Sequence, residues 1–380
     1  MQTFNSADFR LGILGGGQLG KMLIQSAMDF GIEVHVLDPD YNASCSSYCH
    51  HFKVGSFKDF HDVYHFGKSL DLLTIEIENV NVEALKRLQE EGRRVFPQPQ
   101  LIELIQDKGL QKDFFVANGI PTSPFIKIAD RDELQQHLDK FPAVQKLRKS
   151  GYDGRGVYMI NSADDLSNAF NEPSILEERV NFEKELSVLV ARNESGQVAT
   201  YDVVEMEFNT DANLVEMLFS PASIPAEMAR EAREIAVKVI EKLDLVGLLA
   251  VEMFATPDGK LWVNELAPRP HNSGHHTIEA CVTSQYEQHL RAILNLPLGS
   301  TALCSKAVMV NLLGAPGYTG DARYQGFAEL AGLEGAHVHL YSKKKTKPFR
   351  KMGHVTIMDD DLEKALEKAR IIKEKFKIIA

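Results

Sequence analysis

Cysteine is scarce in this chain. Its 380 residues include four, Cys45, Cys49, Cys281 and Cys304, which is too thin a set for a disulfide framework and fits a reducing compartment. No uninterrupted stretch of about 18 apolar residues occurs, so no membrane-spanning helix is expected. The opening MQTFNSADFR lacks the charged-then-apolar build of a secretion signal, and a cytoplasmic protein is expected. Positive charge is also short. Lys and Arg total 42 against 53 Asp and Glu, a net charge of −11, which argues against a nucleic-acid binder but leaves room for one local basic site. The phosphate-loop order GxxxxGK[ST] is missing. No internal repeat and no low-complexity linker breaks the chain, so its domains should pack closely.

What is present is ordinary globular material, 44% apolar and 25% charged. At roughly 100–200 residues per domain the length predicts two or three domains. Residues 1–100 alternate strand and helix patterns, with strands at Leu11–Leu14, Glu33–Asp38, Leu72–Ile77 and Arg94–Phe96. That alternation predicts a parallel α/β sheet. Residues 101–298 read differently. A helix over Leu101–Asn118 precedes two hairpins, Leu186–Phe208 and Leu248–Leu266, separated by an amphipathic helix at Ala226–Leu243, an α+β pattern. Residues 299–380 form a small third unit with strands at Lys306–Leu312 and His337–Tyr341 and a closing helix behind Asp359–Asp361.

Three stretches carry chemistry. The first, GGGQLGKM from Gly15 to Met22, has Gly15-x-Gly17-x-x-Gly20 with Asp38 downstream, which matches a dinucleotide fingerprint. A lone match of this kind is weak, because a helix N-terminus accepts other phosphates equally well. The second is VEMFATPDGKLWVNEL. Counting outward from its turn places Glu252 opposite Glu265 on one face, about 5 Å apart by strand geometry. Two acids there either face water or share a divalent cation; oxygen-only ligands, Asn264 among them, favour Mg²⁺. Arg269, His271 and Asn272 follow at once in a proline-stiffened segment, which favours a site. The third, KLRKSGYDGRGV, sets three glycines among Lys146, Arg148, Lys149 and Arg155, a phosphate-binding loop or a polar turn. Cys45, Cys49, His50 and His51 lack zinc-site spacing. His275 and His276 read as polar lining, and Trp262, alternating with the acid strand, as core or interface.

Together these motifs, with LEERVNFEKELSV, TIEIENV, PRPHNSGH and RKMGHVT, resemble the ATP-grasp ligases. Within them the chain is most similar to the branch that carboxylates aminoimidazole ribonucleotide in purine biosynthesis, and the resemblance runs in order over nearly the whole length. It implies an ATP-grasp fold with a Rossmann-like N-terminal (pre-ATP-grasp) domain and a small C-terminal domain. It implies ATP and Mg²⁺, with Mn²⁺ as substitute, bicarbonate as second substrate, carboxyphosphate as intermediate, and a homodimer. By the same resemblance Lys108 and Lys146 contact ATP phosphates, and Gly151, Tyr152, Asp153, Gly154, Arg155, Gly156 and Val157 form a lid. Glu177, Glu178, Arg179 and Val180 meet the adenine edge, and Glu185 the ribose. Glu252 and Glu265 hold the metal beside Asn264, and Arg269 stabilises the transferring phosphoryl group.

The resemblance assigns the glycine loop to the sugar-phosphate substrate rather than to NAD, through Gln18 and Leu19, with Glu78 on its ribose. Tyr152 and Asp153 lie near the imidazole, with Asp153 also placed among the catalytic groups, and His271 and Asn272 are counted among the substrate-binding residues. Lys343, Arg350 and Lys351 clamp the substrate phosphate. One departure concerns that clamp. Relatives often carry Arg-Pro-Gly-Arg-Lys where this chain has Lys347-Pro348-Phe349-Arg350-Lys351, which questions the loop's shape. Another ATP-grasp ligase, such as a formate-dependent glycinamide ribonucleotide transformylase, would share the ATP residues. Activity with formate and none with bicarbonate selects it, whereas tight NADH binding would select an oxidoreductase.

Overall fold

The computed structural model describes residues 8–149, 151, 156–209 and 214–380. Among these, strands β1 Arg10–Leu14, β2 Glu33–Asp38, β3 His51–Val54, β4 Leu72–Ile75 and β5 Arg94–Val95 form a parallel sheet in the order β3-β2-β1-β4-β5. Helices α1 Gln18–Asp29, α2 Phe60–Gly67 and α3 Val82–Glu90 cross between them. The edge strand β3 and the helix α2 escape the sequence pattern. The strand alternates poorly (His51, Phe52, Lys53, Val54) because most of it faces solvent. The helix is rich in His and aromatic residues, which have modest helix propensity.

The helix expected over Leu101–Asn118 is two helices, α4 Pro99–Gln106 and α5 Lys108–Ala117. Asp107 breaks it. Its backbone is extended and its carboxylate accepts from Gly109 N and Leu110 N, an N-cap in the middle of an apolar-periodic run. The same carboxylate takes Arg148 in two hydrogen bonds of 2.8 and 2.7 Å. The break thereby fixes the direction in which Lys108 leaves the helix.

Next comes an antiparallel sheet of β6 Phe125–Ile128, β7 Ala143–Leu147, β8 Val157–Ile160 and β9 Ser174–Glu178, ordered β6-β9-β7-β8, with the short helix α6 Arg131–Leu134. The largest sheet starts with β10 Lys184–Arg192, β11 Val198–Thr200, β12 Val204–Asn209 and β13 Leu214–Ser220. After α7 Ala226–Leu243 it adds β14 Gly247–Ala255 and β15 Leu261–Ala267. Helix α7 buries Ala232, Ile235, Ala236, Val239, Ile240 and Leu243 on one stripe against Leu186, Val188, Val251, Met253 and Val263 of the sheet.

Short α8 Thr277–Ala280 and α9 Gln285–Ile293 lead into β16 Ala307–Leu313. The remainder contains β17 Gly320–Asp321, β18 Arg323–Gln325, α10 Phe327–Ala331, β19 Ala336–Leu340, β20 Lys345–Thr346, β21 Lys351–Met358, α11 Leu362–Lys375 and β22 Lys377–Ile379. The large sheet runs β15-β14-β10-β12-β13-β16-β21-β19 without interruption. The C-terminal strands therefore extend the sheet of the middle region instead of building their own. The N-terminal sheet is tied in as well. Tyr286, Leu290 and Ile293 of α9 share a core with Leu11, Ile13 and Leu23, and buried Thr74 Oγ1 lies 2.8 Å from His289 Nε2. No described helix is long and apolar enough to cross a membrane.

Candidate active site

The β14–β15 hairpin sets the centre. Its pairing runs Ala255↔Leu261, Phe254↔Trp262 and Met253↔Val263, and then a bulge at Asn264 brings Glu265 opposite Glu252. The extra residue is what puts both acids on one face. It also puts Trp262 on that face with Phe254, so Trp262 does not alternate away from the acids as the sequence count implied. On the neighbouring strand Glu185 pairs with Phe254 and joins the same face. Leu186, Met253, Val263 and Leu266 point the other way, into the core under α7.

Three carboxylates share one half-buried face, and burial acts on each of them. Burial, then Glu265 and Glu185, push Glu252 up to about 8. Burial pushes Glu185 up to about 7. Glu265 goes the other way, down to about 2, because the ammonium of Lys108 lies 2.5 Å from its Oε2. An oxygen-only set in which one acid cannot ionise comfortably is chemically suited to a hard divalent cation. His271 Nε2 is 3.4 Å from Glu252 Oε1, and burial followed by the Arg269 charge pushes this imidazole down to about 3. The ring is neutral, with Nδ1 2.9 Å from Ser273 Oγ.

Lys146, near the end of β7, reaches across to Asn264 Oδ1 at 2.8 Å and Glu177 Oε2 at 3.0 Å. Glu177 is buried and also meets Lys112 at 3.1 Å and Ser123 Oγ at 3.1 Å. Burial raises Glu177, but Lys146 and Lys112 outweigh it and hold the carboxyl below its usual range. Its side chain is thus an internal brace that aims Lys146. Glu178, Arg179 and Val180 instead line an open cleft of about 420 Å³ with Pro124, Trp262 and the Thr256–Lys260 turn. Gly151, Gly156 and Val157 flank the loop after β7, with Gly156 at φ +76°; Tyr152, Asp153, Gly154 and Arg155 lie outside the described residues.

On the N-terminal side, Arg269 Nη2 pairs with Glu78 Oε1 at 2.7 Å, while its Nε is buried without a partner. Beyond Glu78 lies the glycine loop. Asp38 does not turn outward as a dinucleotide ribose ligand would, since its carboxylate accepts from Gly16 N at 2.7 Å and Asp40 N at 2.8 Å. Glu76 accepts from Gly17 N and Gly20 N, each at 2.6 Å, and so caps α1 from the end of β4. Burial pushes Glu76 up despite those bonds. With these amides taken, the amides of Gln18 and Leu19 at the start of α1 are the ones left to meet a ligand. Sequence reasoning missed Glu76. The signal was the first acid of TIEIENV, two residues before Glu78, directly after a strand that pairs with β1 and ends beside its loop.

The C-terminal unit supplies Lys351, whose charge acts on both Glu252 and His271. Lys343 Nζ donates to the Lys351 carbonyl at 2.7 Å and sits over the Tyr341 ring. Arg350 does not join them, because its Nη1 donates to Lys345 O at 2.7 Å within its own turn. The turn keeps a left-handed residue without the glycine, with Phe349 at φ +61°. Asn272 exchanges two 2.9 Å amide bonds with Asn311 on β16. Lys21 of α1 donates to Leu340 O at 2.8 Å and Ser342 Oγ at 2.9 Å, tying the glycine-loop helix to this unit. His275 and His276 are fully buried, His275 stacking on His354 with ring centroids 4.5 Å apart.

Comparison with known proteins agrees with this arrangement. Residues 9–106 match the ribonucleotide synthetase preATP-grasp domain, 113–286 the ATP-grasp domain, and 307–368 the phosphoribosylaminoimidazole carboxylase C-terminal domain. The chain is 38% identical over 358 residues to N5-carboxyaminoimidazole ribonucleotide synthase of Synechococcus elongatus, covering 91% of this chain and 89% of that protein. It is 38% identical over 378 residues to the chloroplastic phosphoribosylaminoimidazole carboxylase of Vigna aconitifolia, covering 96% of this chain but only 66% of that longer protein. Among solved structures, N5-carboxyaminoimidazole ribonucleotide synthetase from Thermotoga maritima superimposes with a TM-score of 0.91 at 46% identity, over 98% of this chain and 99% of that one. The Aspergillus clavatus synthase, in complex with ADP and aminoimidazole ribonucleotide, gives 0.88 at 32% identity, over 98% and 99%.

Proposed function

This chain belongs to the N5-carboxyaminoimidazole ribonucleotide synthase family of ATP-grasp ligases, and from that membership we propose that it carboxylates 5-aminoimidazole ribonucleotide with bicarbonate and ATP, giving N5-carboxyaminoimidazole ribonucleotide, ADP and phosphate in purine biosynthesis. The observation that carries this reading is the convergence of Lys108, Lys146 and Lys351 on the Glu252/Glu265 face, with Arg269 acting on the neighbouring His271. Residues 1–100, 101–298 and 299–380 are read as the working units, in a cytoplasmic homodimer.

In this reading Glu178, Arg179 and Val180 border the adenine and Glu185 takes the ribose. Lys108 and Lys146 exchange Glu265 and Asn264 for polyphosphate oxygens. Glu252 and Glu265, beside Asn264, would hold Mg²⁺, which neutralises phosphate charge when bound; Glu252 gives up its proton to serve as ligand. A bicarbonate oxygen bonds to the γ-phosphorus as the bond to the β-phosphate oxygen breaks, forming carboxyphosphate and ADP. Arg269, held by Glu78, meets the transferring group. The amine nitrogen then bonds to the carboxyl carbon, directly or after CO₂ release. Phosphate leaves with the bonding pair and the amine gives up a proton. Little covalent work falls to the protein, so positioning and charge carry the rate.

The ribonucleotide phosphate is taken by the Gln18 and Leu19 amides and by Lys343 and Lys351, with Arg350 rotating out of its turn to join them. Glu78 takes its ribose, and His271, Asn272, Tyr152 and Asp153 surround the imidazole. Bicarbonate labelled with ¹⁸O tests the central step. Phosphate released in a full reaction should carry one bicarbonate oxygen; unlabelled phosphate contradicts carboxyphosphate.

A further inference from the structure

The zinc reading of Cys45, Cys49, His50 and His51 fails locally, but one member of that run finds other partners. His51 on β3 pairs directly with His35 on β2, and Glu33 lies two residues earlier on the same face of β2. His35 Nε2 is 2.8 Å from Glu33 Oε1, and His51 Nε2 is 3.4 Å from the same oxygen. The rings lie 4.5 Å apart, and one donor atom from each residue falls within 4.8 Å of the others. Ligand atoms about 2.0–2.2 Å from a tetrahedral Zn²⁺ sit roughly 3.3–3.5 Å from each other, so this face is close to the required spacing.

We propose that Glu33, His35 and His51 form a second metal centre, separate from the ATP site, for a late first-row divalent cation such as Zn²⁺. Two imidazoles and one carboxylate select against Mg²⁺ and for Zn²⁺, Ni²⁺ or Cu²⁺. Each imidazole binds through its Nε2 lone pair with its proton on Nδ1. Without metal, His35 Nε2 donates to Glu33 Oε1 at 2.8 Å, so metal binding replaces that hydrogen bond and moves the imidazole proton to Nδ1. Access is open because β3 is the sheet edge and the His51 side chain is 67% exposed. His50 is not a ligand, as its Nδ1 accepts from Val34 N at 3.1 Å. Cys45 is buried in the core of the N-terminal sheet and stands apart from the group. The bound cation would cross-link β2 and β3, the strand pair whose other end carries Asp38 and its hold on Gly16.

The test is Zn²⁺ binding by calorimetry to the full-length protein in excess Mg²⁺, with thermal melting in parallel. The expected result is one Zn²⁺ per chain that raises the melting temperature, with affinity lowered at least about tenfold in His51→Ala and in Glu33→Gln, as loss of a direct ligand should exceed loss of an outer partner. Binding should persist in Cys49→Ser and in His61→Gln, a change on α2 where His61 stacks on His65 outside this group, and Co²⁺ should give d–d bands without thiolate charge transfer. The carboxylation rate should not change in His51→Ala. Absence of Zn²⁺ binding, binding that survives in His51→Ala, or binding that follows Cys49 or His61 would overturn the proposal.

Discussion

Glu252 shows at the scale of one residue how function and stability oppose each other. Its carboxyl moves from an ordinary 4.5 up to about 8 through burial and two neighbouring acids. Between those values the folded chain keeps a proton that the unfolded chain has lost, so stability falls as pH rises through that window. Glu252→Gln removes this cost. The expected gain is on the order of 1–3 kcal/mol at pH 8, read from urea melts, with no gain at pH 4 and ADP formation reduced at least about a hundredfold. A loss of stability at pH 8 would mean that the acid pair is already compensated. The same proton predicts that Mg²⁺ binds more tightly as pH rises from about 6.5 to 8.5, with proton uptake by buffer visible in calorimetry. The acids were legible in the sequence because strand pairing is arithmetic. Glu76 was not, because its partners Gly17 and Gly20 are brought to it by a parallel pairing of distant segments.

At the scale of elements, the hairpin was read correctly by two errors that cancel. The sequence count sets Thr256 opposite Leu261, whereas the structure pairs Ala255 with Leu261, and the bulge at Asn264 restores the offset. A bulge leaves no mark in apolar alternation, and this one also reversed the expected face of Trp262. Deleting Asn264 should therefore do more than remove an amide. The register would place Glu265 towards α7 in the core, so soluble yield and cation binding should both be lost. Asn264→Ala keeps the register and should fold, with weaker ATP binding only; comparison of the two by circular dichroism and nucleotide titration checks this. Equal behaviour of the two variants would contradict the bulge's role. The break at Asp107 has the same lesson. Apolar spacing continued across it, while the cap that ends one helix and starts the next is a single hydrogen-bonded side chain.

At the scale of the molecule, the order of α/β, α+β and small C-terminal regions was legible, but their joining was not. Strand β13 pairs with β16, so residues after 298 complete a sheet begun before them. A chain ending at residue 298 would leave β13 as an edge with Met217 and Phe219 stripped of their cover, and it should aggregate when expressed, read by light scattering. A soluble, ATP-binding 1–298 fragment would show that the middle region stands alone. The site depends on the same joining, because Glu78, Glu252 and Lys351 come from three regions and meet at Arg269 and His271. The central claim is that these regions jointly couple ATP cleavage to carboxylation. Its most direct test is ADP release from MgATP in CO₂-depleted buffer, with aminoimidazole ribonucleotide and bicarbonate added separately and together. Release that needs both, with a labile carbamate as product, is predicted; equal release when bicarbonate is withheld would contradict the account.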